Sequence, residues 1–206
     1  FNSIKVIDIE HKKRYNIAPT QSVLAIVNDG EQNRLGRLRW GLIPSWAKDM
    51  KIGYKMINAR AETLAEKPAF KHAFRRQRCI IPADGFYEWK QSGKEKQPFR
   101  IKLKSDEVFG FAGLWDRWQS PDGTVIHTCT IVTTQANDLL ADLHHRMPVI
   151  LRKEDEKLWL DRKVEDPHVL QDLLQPYPAD EMEVYPVSSQ VNSAKYDDPS
   201  LILSAK

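Results

Sequence analysis

The stretch Cys79-Ile80-Ile81-Pro82-Ala83-Asp84-Gly85-Phe86-Tyr87-Glu88-Trp89 decides the fold. Its apolar opening reads as a strand, Pro82 to Gly85 break it, and Phe86 to Lys90 resume as a second strand. Downstream, Phe99 to Leu103, Val108 to Trp115 and Val125 to Thr133 are further strand-like runs, with Gly93 and Asp122-Gly123 in the turns between them. Upstream, Ser22 to Asn28 is apolar and β-branched, Asp29-Gly30 follows, and Leu35 to Trp40 alternates apolar residues with Arg and Gly. This pair reads as two strands joined by a turn, preceded by a loop over Asn16 to Gln21. Glu66 to Arg78 predicts a helix with Pro68 in its first turn and with Phe70 and Phe74 on one face. Amphipathic patterns return over Gln135 to Leu143, Lys153 to Trp159 and Pro167 to Leu174, and Val184 to Val187 predicts a short closing strand. Many strands with a few short helices make an α+β pattern rather than an alternating βαβ one. Without repeat or linker, residues 1–206 read as a single domain.

At 206 residues the chain is long enough to bury a core without disulfide staples. A hydrophobic content of 41%, a charged content of 29% and a mean hydropathy of −0.53 argue against a membrane protein and against wholesale disorder. The longest uncharged stretch, Gly123 to Asn137, is too rich in Thr, Gln, His and Asn to span a bilayer. Phe1 to Arg14 carries Lys5, Asp8, Glu10, Lys12 and Lys13 with no apolar block, so no signal peptide is read there and a cytoplasmic location is expected. Cys79 and Cys129, each in an apolar run, predict free, buried thiols of a reducing compartment. The net charge of +3 is uneven: Lys153 to Glu183 hold four basic and ten acidic residues, leaving 27 basic and 18 acidic elsewhere. A positive body with an acidic flank steers an anionic partner to one side, although a soluble protein with patchy charge reads the same way.

Four stretches combine polar groups with strand ends. In Ile57 to Thr63, Asn58 and Arg60 lie two apart on extended chain and point to one side. In Pro82 to Trp89, Glu88 sits between aromatic residues, where lowered polarity raises a carboxyl pKa and suits it to proton transfer. Thr133 to Asn137 and Leu143 to Ile150 are the other two. Taken singly, each has a structural alternative: Asn58 caps a turn, Arg60 pairs with Glu62 or Asp84, Glu88 is an exposed strand position, and His144 and His145 are scaffold. The adjacent histidines also suggest a metal, but neither HExxH nor HxH spacing occurs, and no metal is expected. Trp40 to Asp49 holds two tryptophans that either plug a core or stack on flat ligands.

Together these stretches resemble the SRAP family (SOS response-associated peptidase), in its bacterial or prophage form. The matching segments are Arg14 to Gln21, Trp40 to Ala47, Ile57 to Thr63, Cys79 to Trp89, Phe111 to Trp115, Thr130 to Thr134 and His144 to Leu151, in the family's order over nearly the whole chain. The resemblance implies an α+β fold with a curved, barrel-like mixed β core and peripheral short helices. It implies a DNA-damage function, covalent crosslinking to abasic sites in single-stranded DNA, and self-processing that exposes the nucleophile. Asn58, Glu88 and His144 take the catalytic positions, and Arg60 and Arg146 take phosphates. Trp46 and Pro44 are expected to stack on or wedge beside unpaired bases; Pro19, Thr133 and Asn137 complete the cleft. No cofactor is expected, and the partner is single-stranded DNA met by a monomer.

The family nucleophile is a cysteine next to the initiator Met, in a Met-Cys-Gly-Arg start that residues 1–206 do not contain. Cys79 and Cys129 cannot substitute, because the chemistry needs thiol and α-amine on one residue. An α-amine condenses with the aldehyde of the opened sugar, and the neighbouring thiol closes a thiazolidine ring; one residue thus supplies both nucleophiles at high effective concentration. The expectation is that this start lies ahead of Phe1. The alternative is a non-covalent single-stranded DNA-binding module that lacks the nucleophile.

Overall fold

The computed structural model describes residues 4–6, 12–93 and 95–205. The reading of residues 1–3 and 7–11 as free of a signal sequence therefore lies outside the described residues. Twelve strands and three short α-helices are described: β1 (Ile4–Val6), β2 (Ser22–Asn28), β3 (Asn33–Trp40), β4 (Asn58–Arg60), α1 (Pro68–Arg76), β5 (Arg78–Ala83), β6 (Phe86–Ser92), β7 (Glu95–Leu103), β8 (Phe109–Gln119), β9 (Val125–Gln135), β10 (Arg146–Pro148), β11 (Ile150–Leu151), α2 (Glu156–Leu160), α3 (Pro167–Asp172) and β12 (Met182–Pro186). Short 3-10 turns cover Met50–Lys55, Ala61–Thr63 and parts of the C-terminal segment.

Strands β3, β2, β5, β8 and β9 pair in that order, and β3 pairs with β9 in parallel, which closes a five-stranded barrel within the mixed sheet. A second, three-stranded sheet has the order β12-β7-β6, leaving β6 at its edge. The expected barrel-like α+β class is therefore the observed one.

Strand alternation explains how both faces of the barrel wall are filled. Ile26, Ile80, Ala112, Leu114 and Val132 face a cluster that includes Phe70, Phe74 and Trp159 of the helices, so this is the outer face. Val23, Ala25, Cys79, Ile81, Phe111, Cys129 and Ile131 face the other cluster, which fills the interior and reaches Ile101 of β7 and Met182 of β12. Cys79 and Cys129 are free and buried, as expected, and burial pushes both thiols up, away from the reactive thiolate.

The helix expected over Glu66 to Arg78 is shorter, because Arg78 opens β5. Arg78 is 4% exposed, and its guanidinium donates to the carbonyls of Phe74, Arg75, Trp159, Asp161 and Val164. These are carbonyls of the last turn of α1, the end of α2 and the loop after it, groups that a helix cannot satisfy internally. Over Gln135 to Leu143, expected as a helix, Gln135 ends β9 and residues 138–143 form consecutive turns instead. Asn137 there receives the Leu140 N–H on its side-chain oxygen and donates to the Tyr177 carbonyl at 2.7 Å, so it serves the turn and not a cleft.

Replacing Arg78 by Met strands several buried carbonyls at once. The expected loss is about 3–5 kcal/mol of unfolding free energy in urea titration. Arg78→Lys, whose single ammonium cannot span carbonyls from three segments, should recover less than half of that loss.

Candidate active site and nucleic-acid interface

The site is organised around β9. Along one edge β9 pairs first with β3 (Trp40↔Cys129) and then with β4 (Asn58↔Ile131, Arg60↔Thr133). The switch occurs at Gly41, whose φ of +126° suits glycine and whose Cβ, if present, would lie 2.7 Å from the Gly53 carbonyl oxygen. Along the other edge β9 pairs with β8 and then with β10 (Arg146↔Gln135, Pro148↔Thr133). Two segments far apart in sequence, Asn58–Arg60 and Arg146–Pro148, are thereby set on either side of Thr133.

Asn58 and Arg60 are exposed while Ala59 between them is buried, so both project from one face, as the extended spacing predicts. The Asn58 side chain has no hydrogen-bond partner among the described residues. Arg146 does not present a free fork: it holds Glu62 with two bonds of 2.7 and 2.9 Å and donates to the Thr133 carbonyl at 2.5 Å. Its hydrogen bonds are the first cause of the lowered Glu62 pKa, with the Arg60 charge adding to it. Arg60, Glu62 and Arg146 are thus one electrostatic cluster, in which Arg60 is the cation open to a phosphate. Of the alternative pairings for Arg60, neither forms: Glu62 is taken by Arg146, and Asp84 lies 3.4 Å from Arg100.

Glu88, from the edge strand β6, and His144, from the turn before β10, line one open groove of about 570 Å³ together with Leu143. Burial raises the Glu88 carboxyl above its ordinary pKa of 4.5, and a charge on His144 acts in the opposite sense. His144 is exposed, its Nδ1 lies 3.1 Å from the Arg146 main-chain N–H and 3.0 Å from the Arg146 carbonyl oxygen, and its ring meets that of His145 at 4.4 Å between centroids. The Arg146 backbone therefore fixes the orientation of the imidazole. A half-buried carboxyl facing an oriented imidazole is an arrangement for proton transfer.

The two tryptophans of the Trp40 to Asp49 segment divide the roles offered for them. Trp40 packs against the interior cluster and donates from Nε1 to the Ile57 carbonyl at 2.8 Å. Trp46 is 59% exposed. Its loop is pinned from beneath: Asp116 accepts from the Ser45 N–H at 2.8 Å, and the Trp118 indole donates to the Ala47 carbonyl at 2.7 Å. Pro44 is buried, which corrects its expected role as a wedge against bases; its carbonyl accepts from the Ala47 N–H at 2.8 Å. Thr133 is 7% exposed and offers its carbonyl to Arg146, so its side chain is not an open surface contact. Pro19 is exposed, in a loop tied to the end of β3 by the Thr20 N–H to Trp40 carbonyl bond of 2.8 Å.

Sequence reasoning missed Glu62, Lys96 and Asn192. Glu62 was noticed only as a partner for Arg60; Lys96 and Asn192 line the Glu88 groove from β7 and from the C-terminal segment. Nothing local marks them, since they reach the groove only through the pairing of β7 with β6 and the fold-back of the chain after β12.

A sequence profile described as SOS response associated peptidase (SRAP) matches residues 2–194. The chain is 61% identical over 196 residues to the abasic site processing protein YoqW of Bacillus subtilis (strain 168), covering 95% of this chain and 88% of that protein. It is 32% identical over 225 residues to the abasic site processing protein HMCES of Gallus gallus, covering 94% of this chain and 66% of that one. A crystal structure of a protein from Bacteroides thetaiotaomicron superposes with a TM-score of 0.83 at 31% identity, covering 91% of this chain and 82% of that chain. With its barrel, its site segments and its matched length all in agreement, this chain belongs to the SRAP family.

Proposed function

We propose that this protein processes abasic sites in single-stranded DNA, and that it does so by covalent capture through an N-terminal cysteine carried ahead of Phe1. The observation that carries the reading is the groove in which Glu88, raised in pKa by burial, faces the oriented imidazole of His144. Relatives named abasic site processing proteins supply the substrate class.

In this reading the abasic sugar enters the groove in its open aldehyde form. Schiff-base formation releases one water: the α-amine adds to the aldehyde carbon, and the hydroxyl leaves with a proton. Glu88, protonated to a larger extent than an exposed carboxyl, donates that proton. Thiol addition to the imine carbon then closes the ring, with the thiol proton passing to the imine nitrogen. His144, its imidazole oriented by the Arg146 backbone, assists ring opening of the sugar or reversal of the linkage. Asn58, its amide uncommitted, orients the amine or a sugar hydroxyl. Arg60 holds the adjacent phosphate, while Arg146 acts through its hold on Glu62 and through its backbone contacts with His144. The buried thiols of Cys79 and Cys129 are unsuited to attack, which supports a nucleophile other than these two cysteines. The same groups serve a single self-processing cleavage ahead of that cysteine. The site of action is the cytoplasm, on the nucleoid when DNA is bound.

The deciding experiment incubates protein expressed from the complete reading frame with an abasic single-stranded oligonucleotide. The expected product is a band that survives heat and detergent in a denaturing gel. Salt-sensitive binding without such a band overturns covalent capture and leaves the non-covalent module. Intact-mass measurement of the purified protein reports whether residues ahead of the cysteine have been removed.

Glu88→Gln should slow crosslink formation by about 10²-fold with little change in affinity. It should also stabilise the fold at neutral pH. Because the folded-state pKa of Glu88 lies above its ordinary 4.5, the ionised carboxyl opposes folding once the pH rises through that raised value. The stability advantage of the variant in thermal melts should therefore be present at neutral pH and close as the pH falls below 4.5. Arg60→Ala should do the reverse of Glu88→Gln in function, weakening single-stranded DNA binding by about ten-fold and lowering the salt slope by about one, as read by fluorescence anisotropy.

A further inference from the structure

The carboxylate of Glu62 lies where two cations converge. Its two oxygens accept from the two terminal nitrogens of Arg146 at 2.7 and 2.9 Å, the same paired geometry in which a guanidinium grips a phosphate. The charge of Arg60, two residues earlier in the chain, reaches the same carboxylate. Arg60 is exposed, and its guanidinium has no hydrogen bond or ion pair among the described residues. Two guanidinium groups around one doubly bonded anion have the composition of a phosphate site, filled here by a carboxylate of the chain's own.

The pair can open from one side only. Glu62 belongs to the Ala61–Thr63 turn and its side chain is 51% exposed, whereas that of Arg146 is 17% exposed. The carboxylate therefore stands on the solvent side, and rotation about its own side-chain bonds withdraws it into water. The guanidinium keeps its place without it, because Nη2 also donates to the Thr133 carbonyl at 2.5 Å and Nε is buried. An ion pair open to water holds its partners weakly. Another anion that fits the fork displaces the carboxylate at small cost.

Building on the proposed function, we infer that Glu62 is an internal stand-in for a DNA phosphate: it occupies the Arg146 fork in the free protein and yields it when DNA binds, which holds non-covalent affinity for DNA down. Phosphate contacts carry no information about damage. A protein that captures its lesion covalently has no need of tight binding to intact strands, and a carboxylate that each incoming phosphate must displace lets the protein leave them. Glu62 sets affinity in this way and touches no reacting atom.

The test measures affinity for oligothymidine, with and without a central tetrahydrofuran as a stable abasic analogue, by fluorescence anisotropy over a series of salt concentrations. Glu62→Gln should tighten binding to both by about 3–10-fold. It should leave the salt slope at the wild-type value, because the slope counts the phosphates contacted and Arg146 contacts one in either complex. The double variant Glu62→Gln with Arg146→Gln leaves no charge unpaired, and its slope should be lower by about one than that of Glu62→Gln alone. Glu66→Gln removes an exposed carboxylate that has no ion pair among the described residues, and as the control for net charge it should change affinity by less than about two-fold. A Glu62→Gln slope steeper than wild type by about one overturns the exchange, since the fork then opens only in the variant. Unchanged or weaker binding by Glu62→Gln, an equal gain in Glu66→Gln, or a double variant that keeps the Glu62→Gln slope overturns it as well. Each of these leaves the proposed function standing, whereas a wild type without affinity for either oligonucleotide overturns both.

Discussion

The barrel half of the candidate site depends on β9 changing partners along both of its edges. An isolated three-residue strand such as β4 or β10 has too few hydrogen bonds to hold itself in place. Each is held because β3 and β8 stop short of the end of β9 and leave backbone groups that must be paired. Gly41 makes the first handover possible by turning the chain where its backbone touches that of Gly53. The consequence is geometric: Arg60 on one side and Pro148 on the other stand opposite the same β9 residue, Thr133, with Asn58 and Arg146 each two residues along their strands. The barrel closure that fixes β9 is thus also what fixes the distance between the two arms of the site.

Glu88 belongs to a different sheet, and its environment shows why. Burial that raises the carboxyl pKa costs folding free energy at neutral pH, so the strand bearing it has to be held by other contacts. Tyr87, its neighbour in β6, donates from its hydroxyl to the Tyr15 carbonyl at 2.7 Å. Trp89, on the other side, is bonded to Asn192. Across the ladder, Arg100 donates to the Tyr185 hydroxyl at 2.8 Å and to the Asp84 carbonyl at 3.2 Å, tying β6's approach loop to β12. A half-buried carboxyl is destabilising in its own right, and the polar contacts of its two neighbours offset that cost.

The sequence-based reading succeeds where structure is local and fails where it is not. Ser22–Asn28 is a strand with the expected ends, and Phe70 and Phe74 are 6% and 0% exposed on one helix face, because periodicity and turn residues encode these features directly. Gln135 to Leu143 misleads because Leu140 and Leu143 have helical spacing, yet Asn137 diverts the backbone into turns by capping Leu140 and binding Tyr177. Asn-Ala-Arg has no strand pattern of its own, and the extended reading of Asn58 and Arg60 holds because the segment pairs with β9. Of the site, Asn58, Arg60, Glu88 and His144 were legible as polar residues in matching segments. The engagement of Arg146 by Glu62 and the burial of Pro44 were not, because both depend on contacts with residues distant in sequence.

The C-terminal segment then has a role larger than its sparse secondary structure suggests. Asn16 donates to the carbonyls of Val191, Ser193 and Tyr196, and Asp197 accepts from the Tyr15 and Asn16 N–H groups and from Arg14. This knot joins the loop before β2, which belongs to the barrel, to the segment after β12, which belongs to the second sheet. It also carries Asn192 to the groove and supports Tyr15 beneath Tyr87. The His144 side of the groove hangs from β9 and the Glu88 side from β6, so their separation is set by how the two sheets are joined. The Asn16–Asp197 knot is one of the joints, which makes residues remote from the chemistry determinants of whether carboxyl and imidazole face one another at all.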